Sequence, residues 1–189
     1  MKKQSLWQVV FEFLSIVFAV LLALGLNSYK QNQDLKAESE VLSNKILSEC
    51  QKNLSNLDTV LTQNKEFMIY LDSLRELKDE VDGFGLDFSN DLLSSSAWKF
   101  TQASHSFQLM DQEFLDDATE LYEIQSFYME ISNDMFRNLG EVILRADDLK
   151  TRTMISTLHY YLRNIVNVAD DLKENYEDFI AKYQDLATE

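Results

Sequence analysis

Catalysis needs acids, bases, nucleophiles or metal ligands at spacings that let them converge. The candidates here are His105 beside a serine-flanked turn signal, His159 before Tyr160 and Tyr161, and the single cysteine, Cys50. Neither histidine has the cysteine, histidine or carboxylate neighbours typical of zinc ligation. One cysteine makes neither an intrachain disulfide nor a cysteine-ligated zinc or iron–sulfur site; it reads as a small core residue, with an interchain disulfide as the other option. Asp116-Asp117, Asp147-Asp148 and Asp170-Asp171 are adjacent pairs, whose side chains diverge around a helix. Only a di-metal site assembled across helices would bring such carboxylates onto one ion. Asp82-Gly83-Phe84-Gly85-Leu86-Asp87 lacks the acidic series and closing glutamate of an EF-hand. Phosphate-loop, Rossmann and nucleophile-elbow patterns are missing too. The reading is therefore non-enzymatic: no catalytic residue, no metal ligand and no cofactor is assigned.

Recognition is the remaining kind of chemistry, and the aromatic side chains offer it. Trp98, Phe107, Tyr122 and Tyr128 could line a ligand pocket between helices; the same residues at these spacings also suit a bundle core. A net charge of −15 disfavours nucleic acid and broad contact with anionic lipid headgroups, since both are polyanions. An apolar, cationic or peptide ligand fits that charge better.

A second recognition surface lies at the start of the chain. Leu6 to Leu26 is overwhelmingly apolar, with Glu12 its one ionisable side chain. At about 1.5 Å per residue it spans roughly 30 Å, the thickness of a bilayer's hydrocarbon core. Three readings stand: a retained anchor, a secretory signal cut near Ala23-Leu24-Gly25 behind Lys2 and Lys3, and a buried soluble helix. Glu12 and Gln8 argue against an ordinary signal core, and Trp7 and Tyr29 sit where interfacial aromatics belong, which favours the anchor. On a helical wheel Gln8, Glu12, Ser15, Ala19 and Ala23 share one stripe, and Asn27 continues close to it. Small residues four apart admit a close neighbour, and a carboxyl group is costly against lipid, so the stripe reads as a docking face for a membrane protein partner or a second copy. The plain alternative is a shallow Glu12 that takes a proton or draws in water.

The elements that must position these groups are helices. The 189 residues contain no proline and four glycines, so helix breakers are scarce, and the length suits one domain beyond the membrane. The expected organisation is a tail at 1–5, a transmembrane helix at 6–28 and an acidic helical domain at 29–189 with a loop at 82–90. Leu35, Leu42, Ile46, Cys50, Leu54, Leu57, Leu61, Met68, Leu71 and Leu74 recur mainly at three- and four-residue steps, with Ser39 and Asn64 as weak positions. The membrane helix is expected to continue as an amphipathic stalk towards position 80, packed on later helices of the same chain. Bends are allowed near 27–33 or 62–64. Asn90 or Asp91, or alternatively Ser94 to Ser96, starts a short helix. Ser104-His105-Ser106 marks a turn and Asp111 caps a helix whose end Gly140 either sets or merely weakens. A last helix follows the stripe from Leu158 through Leu172 and Tyr183 to Leu186, returning along the stalk or zipping to another copy. The fold class is thus all-α: a membrane helix, a long stalk and an antiparallel extramembrane bundle.

Two phrases carry a family likeness. Leu21-Leu22-Ala23-Leu24-Gly25-Leu26-Asn27-Ser28-Tyr29, preceded by Glu12, resembles the anchor of small Bacteroidota membrane proteins of unknown function, which ends in an Ile-Ala-Leu-x-Ile-Asn-Asn-Trp-like phrase. Tyrosine stands for that family's tryptophan, and glycine for its polar residue. Ser96-Ala97-Trp98-Lys99-Phe100-Thr101, with Leu115 and Tyr122 downstream, is similar to its tryptophan-bearing helix. The resemblance implies a bacterial membrane anchor and no particular activity. Charge flanking the anchor is weakly asymmetric; the favoured orientation has the N terminus in the cytoplasm, the anchor in the inner membrane and the bundle in the periplasm. The expected role is an assembly or scaffold subunit, docking through the stripe and the bundle. The alternative is a membrane-tethered sensor holding a small ligand or peptide between helices.

Overall fold

The computed structural model describes residues 6–77, 84–90, 92–144 and 151–184. The expected tail at 1–5, the side chain of Gln8, the Asp82-Gly83 part of the loop, an Asp91 cap, the Asp147-Asp148 pair and the Leu186 end of the last stripe lie outside the described residues. Among those described, the fold is all-α.

Helix α1 runs unbroken from Leu6 to Glu76, 71 residues and about 105 Å at 1.5 Å per residue. Helical structure is uninterrupted at both allowed bend sites, Asn27 to Gln33 and Thr62 to Asn64, where the polar residues include neither proline nor glycine. After α1 the described residues 84–90 and 92–95 form a non-helical strap, followed by a short helix α2 (Ser96–Gln102) and a 3₁₀ turn (His105–Leu109). Helices α3 (Gln112–Leu144) and α4 (Thr151–Tyr183) complete the chain. Ser96, not Asn90, opens α2, so Leu92 and Leu93 belong to the strap and not to a helix. Asp111 caps α3 as expected: its Oδ1 accepts the Phe114 N–H at 3.0 Å. Gly140 does not end α3, which continues to Leu144.

Pairings across the bundle fix its directions. Asp58 meets Lys173, Lys65 meets Asp170, and Asp72 meets His159, so α4 returns antiparallel along α1. Lys182 reaches Glu113 and Asp117, so α3 and α4 are antiparallel as well. The lysine pairs are open to solvent, which screens them, so they report the register more than they hold it.

Burial of apolar stripes does hold it. The expected α4 stripe Leu158, Leu162, Ile165, Ala169, Leu172, Tyr176, Phe179 and Tyr183 is buried throughout. From Ile165 to Tyr183 it meets Leu42, Ile46, Leu47, Cys50, Leu57 and Leu61 of α1 and Phe114, Leu115, Ala118, Leu121 and Tyr128 of α3 in one core. A second, smaller core at the far end gathers Phe67, Leu71, Leu139, Ile155, Leu158 and Leu162. The stalk therefore packs within its own chain. The strap and α2 take the place of a fourth helix, with Phe88 bridging Phe67 on α1 and Phe136 on α3 at ring distances of 5.9 and 5.3 Å.

The first third of α1 is different. Trp7 and every residue from Val10 to Asp34 are exposed, and Leu35 is the first side chain that the bundle shelters.

Candidate functional site

Two surfaces and one buried knot hold the groups singled out by type. On the bare rod, Glu12, Ser15, Ala19, Ala23 and Asn27 are all exposed, and none is brought against another part of the chain. The Ser15 hydroxyl donates to the Phe11 carbonyl oxygen at 2.6 Å, so this polar group is satisfied by its own helix. The 18-residue window here is apolar enough for a membrane and none of it is buried in the bundle. An apolar helix of this kind inside a soluble fold would have its stripe covered, as α4 does.

The four aromatic candidates are only partly brought together. Trp98 stacks on Tyr122 at 5.4 Å with planes 5° apart, and Phe107 tilts against Trp98 at 6.2 Å. Tyr128 is buried in the same core. Beside the stack lies an open groove of about 460 Å³, lined by Trp98, Lys99, Tyr122, Glu123 and Met129 among others; neither Phe107 nor Tyr128 lines it. Trp98 and Tyr122 are each 6 % exposed, so the stacked rings offer the groove little of their surface.

Beneath that groove sits a polar knot that apolar periodicity does not announce. Glu49 of α1 is buried and, among the described residues, has no ion-pair partner: Oε2 accepts from Ser94 Oγ at 2.6 Å, Ser96 Oγ at 2.8 Å and the Ala97 N–H at 3.0 Å. Its Oε1 accepts from Tyr122 Oη at 2.7 Å. Glu49 thus does for α2 what a local N-cap does elsewhere, placing negative charge at the helix start from another element. One turn on, Asn53 grips the strap like a second peptide group. Its Nδ2 donates to the Ser94 carbonyl oxygen at 2.7 Å and its Oδ1 accepts the Ser94 N–H at 2.9 Å. Gln125 of α3 and Tyr176 of α4 join the same amide. Three turns further, Asn64 repeats the grip on Ser89, at 3.0 and 2.9 Å.

The protonation of these groups follows from their surroundings. Burial alone would raise the Glu49 carboxyl, but the hydrogen bonds from Ser94, Ala97, Tyr122 and Ser96 outweigh it and hold the group below its ordinary value. Burial pushes the Cys50 thiol up to about 12 and raises the Tyr122 and Tyr176 hydroxyls as well. Near neutral pH the knot is one fixed carboxylate among protonated neighbours. Its arrangement suits positioning of the strap, and the thiol is not activated as a nucleophile. Among the described residues no three histidine, cysteine or acidic side chains gather as a metal site. His159 Nε2 lies 3.1 Å from Asp72 Oδ1, off the direction of a good hydrogen bond.

A pH dependence follows. Because the folded value of Glu49 is depressed, its contribution is present above the unfolded value of about 4.3 and is lost as pH falls through the folded value. Urea midpoints measured from pH 6 down to pH 3 should fall, and Glu49→Gln should flatten part of that fall.

Comparison with protein-family models, with curated proteins and with solved structures found no match.

Proposed function

We propose that this chain is a non-enzymatic assembly subunit of a bacterial inner membrane, anchored by the bare rod of α1, with its N terminus in the cytoplasm and its bundle in the periplasm. Membership of the Bacteroidota family that the anchor phrase resembles belongs to the same proposal. The supporting observation is the uncovered apolar length of α1: residues 10–34 are exposed while the remainder of the same helix is packed. Leaving that much apolar surface in water is costly, at about 25 cal/mol per Å², and a bilayer removes the cost.

Within the membrane the partner is a helix seated on the stripe of Glu12, Ser15, Ala19, Ala23 and Asn27. Replacing Ala19 and Ala23 together with leucine fills the close approach. The expected result is normal insertion with loss of the copurifying or self-associated species in a membrane pull-down. Full recovery of that species would remove the stripe from the proposal. The groove beside Trp98 and Tyr122 supports a second reading, a tethered sensor; saturable quenching of Trp98 by a ligand purified with the protein, lost in Trp98→Phe, would select it.

A further inference from the structure

At the end of the bundle away from the rod, an open groove of about 530 Å³ is lined by α1 and the strap. Phe67 forms its floor, and Tyr70 and Leu86 stand on opposite walls, both about two-fifths exposed. The Tyr70 ring stacks on Phe67 at 6.0 Å and 28°, so it is held in place without being covered. Gly85 widens the strap wall: a Cβ there would meet nothing within 4 Å. The aromatic and aliphatic surface thus presented is preformed, which lowers the entropy lost on binding.

Charge says what kind of chain enters. Glu66 rises from the α1 wall and Asp87 from the strap wall. Among the described residues neither carboxylate has an ion-pair partner, while the neighbouring cations are engaged: Lys65 with Asp170, Arg75 with Asp72, and Arg152 with the Leu77 carbonyl oxygen. An occupant must therefore bring apolar surface for the walls and positive charge for the rim. Arginine meets both needs, since its guanidinium pairs with carboxylates and lies flat on an aromatic face such as Tyr70. The volume suits one large side chain and its neighbours in an extended segment, and is too small for a whole helix.

Position narrows the source. From Tyr29 at the border of the rod to Phe67 the helix rises about 57 Å, far beyond lipid headgroups. We infer that this groove receives an extended segment of a partner protein in which arginine flanks an aromatic or aliphatic side chain. The inference rests on the assembly reading above and adds a second docking surface to it, with the chemistry of its partner.

The test uses the full chain in nanodiscs and two fluorescein-labelled probes, Arg-Leu-Arg-Phe-Arg amide and the same peptide with glutamate for each arginine. Anisotropy should show saturable binding of the arginine peptide only. Glu66→Lys with Asp87→Lys should weaken it at least tenfold, as should Gly85→Trp, which fills the groove and leaves the charges in place. Asp171→Lys with Glu174→Lys, an equal change of charge on the exposed face of α4, should leave it within twofold. Equal loss in that control, binding unchanged by Gly85→Trp, or no saturation below about 1 mM would each overturn the inference. None of these outcomes alters whether the rod is embedded in lipid, so the groove and the anchor fail separately.

Discussion

Asn53→Ala is expected to lower the folding stability of the bundle by about 3 kcal/mol, a large share of what a domain of this size has. The alanine leaves the Ser94 N–H without its acceptor and takes one donor from the Ser94 carbonyl oxygen, which keeps Gln125 Nε2 at 3.1 Å. It also takes a hydrogen-bond partner from Tyr176 and from Gln125, both buried. Stranding such groups costs about 1–3 kcal/mol each, and neighbours in one network do not add simply. Asn64→Ala removes the same pair of bonds to Ser89, which is half-buried and has water as a substitute, so about 1 kcal/mol is expected. Urea denaturation followed by far-UV circular dichroism ranks the two. Equal effects would mean that the grip on the strap, and not burial of the knot, sets the cost.

Removing residues 1–30 is expected to abolish membrane association completely while shifting bundle stability by less than about 0.5 kcal/mol. The described residues of that segment bury nothing, and apart from the helix's own backbone bonds the contact across the cut is a side-chain hydrogen bond from Gln33 to Tyr29 within a single helical turn. Flotation of the truncated chain with liposomes gives the first result, and its urea midpoint beside that of the full chain in detergent gives the second. A truncated chain that unfolds or aggregates would show that the rod supports the bundle, contrary to its exposure.

Much of this architecture is written in periodicity. The step from Leu42 to Leu71 and the alternation from Leu158 to Tyr183 each name a buried face, and the buried residues are largely those. Glycine and aspartate likewise mark the strap, since residues 84–90 are not helical. What periodicity cannot name is a partner. In the α1 stripe Asn64 reads as a weak position because only its polarity is visible there. Its value lies in Ser89, 25 residues away in a segment with no repeat. Asn53 and Glu49 escape for the same reason, although a buried-register amide or carboxylate needs partners from somewhere and is itself a signal. Trp98 and Tyr122 were legible as aromatic surface, but mutual stacking leaves few faces for a ligand, and that depends on how α2 lies on α3. The groove at Phe67 and Tyr70 was not legible at all: it needs the strap to run beside α1 before it exists.

The proposed role stands or falls with whether the exposed third of α1 resides in lipid. Membranes from cells making the intact chain, washed with sodium carbonate at about pH 11, a pH at which proteins held on a bilayer surface by charge are released, decide it. The full chain is expected to stay in the pellet and to enter solution only with detergent. A chain that appears in the carbonate supernatant and runs there as a monodisperse monomer would contradict it.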